Sequence, residues 1–188
     1  MTTTENVETR NGVDVSQLTH TVDAIGTDPD LANFRFRAHN VWLGGGRSRT
    51  EMHGFWGAGA EDTSRAEPFV LHGDEPPVLL GSNQAPNAVE AVLHALASCL
   101  AVGVTYNAAA QGIDVRSLEF DLEGRLDLHG FLGLSPDIRP GYQHIEVTYR
   151  IDSDAPDDVL DELCAHVQRT SPVLDMLRHP VEVSVTRT

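Results

Sequence analysis

Cys99 is the residue of this 188-residue chain best placed to act as a nucleophile. Ala97, Ser98 and Ala101 beside it are small enough to let other backbone or a small ligand come close to the sulfur. A thiol attacks as thiolate, which needs a positive neighbour and a route from solvent. Arg47 and Arg49 supply cations just after the glycine run Gly44-Gly45-Gly46, on a hairpin able to fold over another element. At about 100° per residue, a helix puts Val92, Ala95, Leu96, Val102, Gly103 and Tyr106 on the face of Cys99. Glu90 falls nearly opposite, with His94 on its own side at the i,i+4 spacing of a mutual pair. The bland readings stand beside these. A cysteine midway along a buried helix is commonly an inert small hydrophobe, and His94 suits a hydrogen-bonded interior histidine. Cys164, among Leu160, Leu163 and Val167, has the setting of a core residue. A Cys99–Cys164 bridge stays open, because sequence spacing does not give distance.

Other chemistry is largely closed. The remaining histidines show no metal-ligand spacing, so no metal and no cofactor is expected. There is no Cys-x-x-Cys, no phosphate-cradling Gly-x-x-x-x-Gly-Lys and no dinucleotide fingerprint. The chain carries 28 acids against 13 bases, a net charge of -15 at pH 7. That charge repels phosphate backbones and anionic bilayers, so neither nucleic acid nor membrane is expected as a partner. Two cysteines and a Thr-rich, Glu-containing N-terminus without a leader pattern point to the reduced cytoplasm. Trp42, Phe55, Trp56, Phe131, Leu132 and Leu134 are able to wall an apolar pocket or to fill a core or subunit contact.

These residues hang on one element, the apolar stretch Asn87 to Gln111, entered after Pro86 and closed by Gly112. Glu90 is its only acid, which predicts a helix buried nearly all round, within a domain or an assembly. It is long enough to span a bilayer, but the Pro, Gly and charged strands around it argue against that. Residues 1–33 read as an N-terminal arm: a loose polar start to residue 12, then a short helix carrying Val15, Leu18, Val22 and Ile25. Residues 34–188 read as one domain. Strands are expected from Phe34 to Val41, from Ser48 to Phe55, from Val115 to Leu128 and from Tyr142 to Ile151. Glu67 to Leu80 reads as an extended lead into the long helix. An amphipathic helix opens at Asp154 and Pro156, breaks at Ser171-Pro172 and restarts through Leu177. Val181, Val183 and Val185 mark a last strand. Strands grouped around helices without strict alternation make an α+β fold.

The stretch Pro86-Asn-Ala-Val-Glu90-Ala-Val-Leu-His94-Ala-Leu-Ala-Ser-Cys99-Leu resembles the central-helix signature of the osmotically-inducible-protein-C family, which includes the organic hydroperoxide resistance proteins. The resemblance runs from about Phe34 to Val185 and takes in the Gly-Gly-Gly-Arg47 turn, the Gly124 to Gly141 region and Thr170-Ser171-Pro172-Val173. It implies two antiparallel sheets wrapped about two central helices, in an intertwined homodimer with two sites at the subunit contact. It also implies a thiol peroxidase. The helix cysteine, Cys99 here, attacks the peroxide; an arginine, best matched by Arg47 with Arg49 close behind, holds the thiolate; an acid orients the arginine.

Two departures stand out. The family acid lies one residue earlier relative to the cysteine than Glu90 does. The second family cysteine, which resolves the sulfenic acid, falls at Ser171, and Cys164 is two helical turns upstream, about 10 Å along an axis. The expectation is therefore a one-cysteine reductase of organic hydroperoxides, with Cys99, Arg47 and Glu90 as its catalytic residues. Arg49, His94, Phe131 and Ser171 are binding candidates, the Phe131 loop favouring organic substrates, and an external small thiol is the reductant. The rival expectation is a scaffold of the same fold that binds a small apolar molecule and catalyses nothing.

Overall fold

Leu96, Leu100, Val104 and Ala108 recur at every fourth position of the long helix and are its fully enclosed side chains, with Ala109 beside them. In the computed structural model, which describes residues 8–188, this helix (α2) runs Ala88–Ala110. Gly112, in left-handed backbone at φ 75°, ends it: the Ile113 N–H donates to Ala108 O at 2.8 Å and the Gly112 N–H to Ala109 O at 3.1 Å. Ile113 itself drops into the core beside Ala108, the apolar contact that usually accompanies this cap.

The architecture is α+β, as the sequence suggests. Preceding α2 are short strands Thr9–Arg10 (β1) and Val13–Asp14 (β2), helix α1 (Val15–Thr27), and strands Phe34–Arg35 (β3), His39–Gly44 (β4), Arg47–Met52 (β5), Phe55–Gly57 (β6), Ala60–Asp62 (β7) and Phe69–Gly73 (β8). Strand β9 (Val115–Arg125), the one-turn helix α3 (Leu128–Phe131), strand β10 (His144–Ser153) and helices α4 (Asp157–Thr170) and α5 (Pro172–Arg178) follow. Pairing within the described chain is antiparallel and divided among four small sheets, β1–β2, β9–β10, β3–β6–β7 and β4–β5–β8. The chain forms two compact units, one of residues up to Val15 with Leu93–Thr188, the other Ser16–Val92.

In the first unit, β9 and β10 lay one face on the core. Leu118 pairs with Ile151, Phe120 with Tyr149 and Leu122 with Val147, while Glu119 and Asp121 on the outer face hold Arg150 at 2.8 and 3.0 Å. Leu163 and Val167 of α4 complete the cluster with the α2 stripe. The second unit carries the three-stranded sheets. Gly44 and Gly45, at φ 100° and 60°, make the β4–β5 turn expected from the glycine run.

Three expectations change. Residues 9–12, read as loose, form with Val13 and Asp14 a hairpin whose tip Asn11-Gly12 sits at φ 52° and 77°, the left-handed pair that a two-residue turn requires; the first seven residues of the expected arm lie outside the described chain. The strands read as Phe34–Val41 and Ser48–Phe55 are each interrupted. At the second break a Cβ on Gly54 would lie 2.3 Å from Asp62 O, so the chain passes too close there for any side chain. Within the single chain, helix α2 is enclosed along one stripe, and Val102 and Tyr106 are about half exposed. Alternation marked Val181 to Val185 as a strand, but no described strand pairs with it, and these valines stand in solvent.

Asp74 anchors the segment that delivers the chain from β8 to α2. It is 3% exposed and accepts from the N–H groups of Glu75 (2.8 Å), Ser82 (3.2 Å) and Gln84 (3.0 Å) and from the Ser82 hydroxyl (2.6 Å). The Ser82 hydroxyl foremost, with the backbone donors and against burial, holds this carboxyl well below the usual range. A depressed folded-state value means its stabilisation is complete above the ordinary aspartate value of 3.8 and is lost as pH falls through the folded value. Asp74→Asn is expected to lower the urea midpoint at neutral pH, with the gap from the parent closing as pH drops below that range. A gap that stays constant down the acid limb would refute it.

Candidate functional site

The sulfur of Cys99 meets the hydroxyl of Ser171 at 3.2 Å, across 72 residues of sequence. Both partners have local reasons to be where they are. Cys99 lies one turn before Gly103 on α2, and Gly103 lets α4 press against it: a Cβ there would come within 2.6 Å of Val167 Cγ1. Val167 is 2% exposed and lies one turn before Ser171. Two consecutive turns of α2 therefore face the end of α4, one in hydrocarbon contact and the next in a polar one. Ser171 ends α4, where its N–H reaches Val167 O at 2.9 Å, and caps α5, where its hydroxyl accepts from the Leu174 N–H at 3.3 Å. Pro172 holds the first turn of α5, a position where its missing N–H is no loss. The break expected at Ser171-Pro172 is thus what turns the hydroxyl toward α2.

Ser171 is 5% exposed, whereas Cys99 is half-buried and keeps solvent contact. Both cysteines are free thiols. Cys164 is buried, and its proximity first, with burial second, pushes the Tyr149 hydroxyl up to about 12. Cys164 is thus the core residue its neighbours suggested.

The other candidates are placed as follows. Glu90 closes a reciprocal cap at the start of α2: its carboxylate accepts from the Asn87 N–H at 2.8 Å, and Asn87 Oδ1 accepts from the Glu90 N–H at 2.8 Å. His94 is exposed, and among the described residues no hydrogen bond joins it to Glu90. Arg47 and Arg49 lie on β5 of the second unit. The Arg47 guanidinium donates to Leu43 O at 3.3 Å, within its own hairpin. Arg49 is ion-paired with Glu51 two residues along the same strand, and Glu51 also meets His53 at 3.3 Å. The Arg49 and then His53 hydrogen bonds hold the Glu51 carboxyl below its ordinary value. Phe131 stands on α3 in the loop expected to be apolar, 71% exposed, with Leu132 and Leu134 exposed beside it. That loop closes on itself at Gly130, where a Cβ would lie 2.6 Å from the Ile138 and Arg139 carbonyl oxygens.

Sequence reasoning missed Glu51 and Asp74. The alternation that put Arg49 and Glu51 on one face of β5 was a usable signal for the first, while Asp74 looked like an ordinary turn acid.

Residues 81–186, more than half of the chain, match the family model described as OsmC-like protein. No curated protein matches. Among solved structures, an OsmC-like protein from Mycoplasma pneumoniae is 16% identical, with 78% of this chain and 89% of that one covered at a TM-score of 0.57. A Legionella pneumophila structure described as an organic hydroperoxide resistance protein OsmC, predicted redox protein, is 17% identical, with coverage of 77% and 89% and a TM-score of 0.52. An OsmC-like protein from Vibrio cholerae is 12% identical, with coverage of 75% and 92% and a TM-score of 0.53. At these identities the likeness is one of fold.

The matched span includes both sides of the Gly103–Val167 contact. Gly103→Ala must displace a branched, enclosed side chain with little rotamer freedom, and is expected to destabilise the protein by about 1–3 kcal/mol. Denaturant unfolding at neutral pH measures this, and a loss below a few tenths of a kcal/mol would show that α4 yields freely.

Proposed function

We propose that this chain, which belongs to the OsmC-like protein family, is a thiol-dependent peroxidase that reduces organic hydroperoxides through one reactive cysteine. The observation that carries the reading is Cys99: a half-buried free thiol in the central helix of the family fold, with the Ser171 hydroxyl 3.2 Å from its sulfur. Family membership supports a peroxidase-like role, as does the fold shared with a protein described as conferring organic hydroperoxide resistance.

In this reading the Cys99 thiolate attacks the outer oxygen of the hydroperoxide. The O–O bond breaks, the sulfur is oxidised to sulfenic acid, and the alkoxide takes up a proton and leaves as the alcohol. Because residue 171 is serine, no sulfur stands beside Cys99 to form an internal disulfide. A small thiol condenses with the sulfenic acid, releasing water. A second equivalent of that thiol attacks the mixed disulfide, freeing the Cys99 thiol and releasing the reductant as its own disulfide. The family resemblance gives Arg47 the role of the cation that favours the thiolate. Glu90 acts through the cap it builds on α2. The exposed Phe131, Leu132 and Leu134 favour an apolar substrate tail.

The working form in this proposal is a homodimer in the reduced cytoplasm. Its support is the apolar surface left open on the single chain, with Trp42 72%, Leu71 51%, Val102 52% and Val183 74% exposed. Sedimentation equilibrium is expected to give twice the chain mass of 20.4 kDa, and a monomer at micromolar concentration would refute the dimer.

Cumene hydroperoxide at one equivalent, followed by dimedone, is expected to leave a single adduct on Cys99. Cys99→Ser should abolish the adduct, and Cys164→Ser should leave it unchanged. Folded parent protein that yields no adduct on Cys99 would defeat the peroxidase and favour a scaffold that only binds small apolar molecules.

A further inference from the structure

The Ser171 hydroxyl has two contacts among the described residues, and they divide its hydrogen-bonding capacity. One lone pair accepts the Leu174 N–H at 3.3 Å, as the cap of α5. The other contact is Cys99 Sγ at 3.2 Å. While the sulfur carries its proton, either group is able to donate in that contact. Once the sulfur is ionised only the hydroxyl can, because a thiolate has no hydrogen to give. A hydrogen bond donated to an anion is shorter and roughly twice as strong as one between neutral groups. Ser171 is 5% exposed, so water competes poorly for its proton, and the chain break at Pro172 fixes the backbone that carries it.

We propose that Ser171 is a catalytic residue of the Cys99 site, its hydroxyl serving as the built-in donor to the ionised sulfur, with the α5 cap holding that donor in orientation. The role rests on the peroxidase reading for its chemistry but on the contact itself for its geometry. Cysteine at this position would supply a sulfur to close a disulfide. Serine supplies a proton donor that cannot close one, so the same place in the fold favours the attacking thiolate and leaves the sulfenic acid to an outside thiol. Resolution is then an intermolecular step, whose rate depends on the concentration of the external reductant.

The test separates the donor from the cap. Glycine is nearly as good as serine at a helix start, so Ser171→Gly removes the hydroxyl while leaving α5 capped to within a few tenths of a kcal/mol. Ser171→Ala is a second hydroxyl-free variant, and Ser171→Thr retains the donor. With the full chain at pH 7, the rate of Cys99 alkylation by iodoacetamide is expected to fall about tenfold in Ser171→Gly and in Ser171→Ala, the size of a hydrogen bond to a charged group. The ultraviolet absorbance of the thiolate should fall in parallel, and Ser171→Thr should restore both. A folded Ser171→Gly protein that alkylates within twofold of the parent would overturn the proposal. So would a Ser171→Thr variant as impaired as Ser171→Gly, since the effect would then follow shape and not the donor. Alkylation needs no peroxide, so the two readings fail separately. Parent protein that shows the tenfold effect but no dimedone adduct upholds the Ser171 donor and sinks the peroxidase. An adduct with alkylation indifferent to residue 171 does the reverse.

Discussion

The close approach of α2 and α4 at Gly103 and Val167 is the constraint on which the rest of the first unit depends. Two helices that touch through a missing side chain sit nearer than ordinary side chains allow, and that nearness propagates along both axes. One turn onward it sets the separation of Cys99 and Ser171, and Leu163, one turn before Val167, joins the same buried cluster as the α2 stripe. The core and the polar contact therefore share one determinant. A close-packed interior does not let a single interhelical distance relax alone.

Several residues singled out for chemistry also do work for the backbone. Glu90 satisfies the Asn87 amide at the start of α2, and Ser171 satisfies the Leu174 amide at the start of α5. Arg47 is held to the carbonyl of Leu43 within its hairpin, and Arg49 is matched by Glu51. Helix starts leave amides without internal partners, so short polar side chains collect there whatever else they do. A side chain tied down in this way keeps little rotational freedom, which is also what a reacting group requires of its neighbours.

What the chain reveals before folding divides along the same line. Helix α2 with its stop at Gly112, the alternation of β9, and the restart at Ser171-Pro172 are local events, written in spacing, glycine and proline, and they were legible. The sulfur–hydroxyl contact was not, since nothing in a chain signals that residues 72 positions apart will meet. The family likeness aligned Ser171 with a cysteine position but said nothing of what a hydroxyl would do there. The exposed flank of α2 was not legible for a related reason. Alanine and valine on every face look enclosed in sequence, and whether Val102 and Tyr106 are covered depends on what else is folded against them. The last strand failed similarly, because alternation reports a preference for extended backbone and not the presence of a neighbour to pair with.

That unpaired tail bears on how the protein behaves in solution. Val181, Val183 and Val185 form a ribbon of β-prone side chains outside any ladder among the described residues, at 52%, 74% and 92% exposure. Such a ribbon is a template for adding a strand from another molecule. The net charge of -15, and Glu182 within the ribbon itself, oppose the approach of another acidic chain at low ionic strength. At about 1 M salt the screening length shrinks to roughly 3 Å and that repulsion is gone. Long-range electrostatics then no longer opposes the approach of a second copy to this surface.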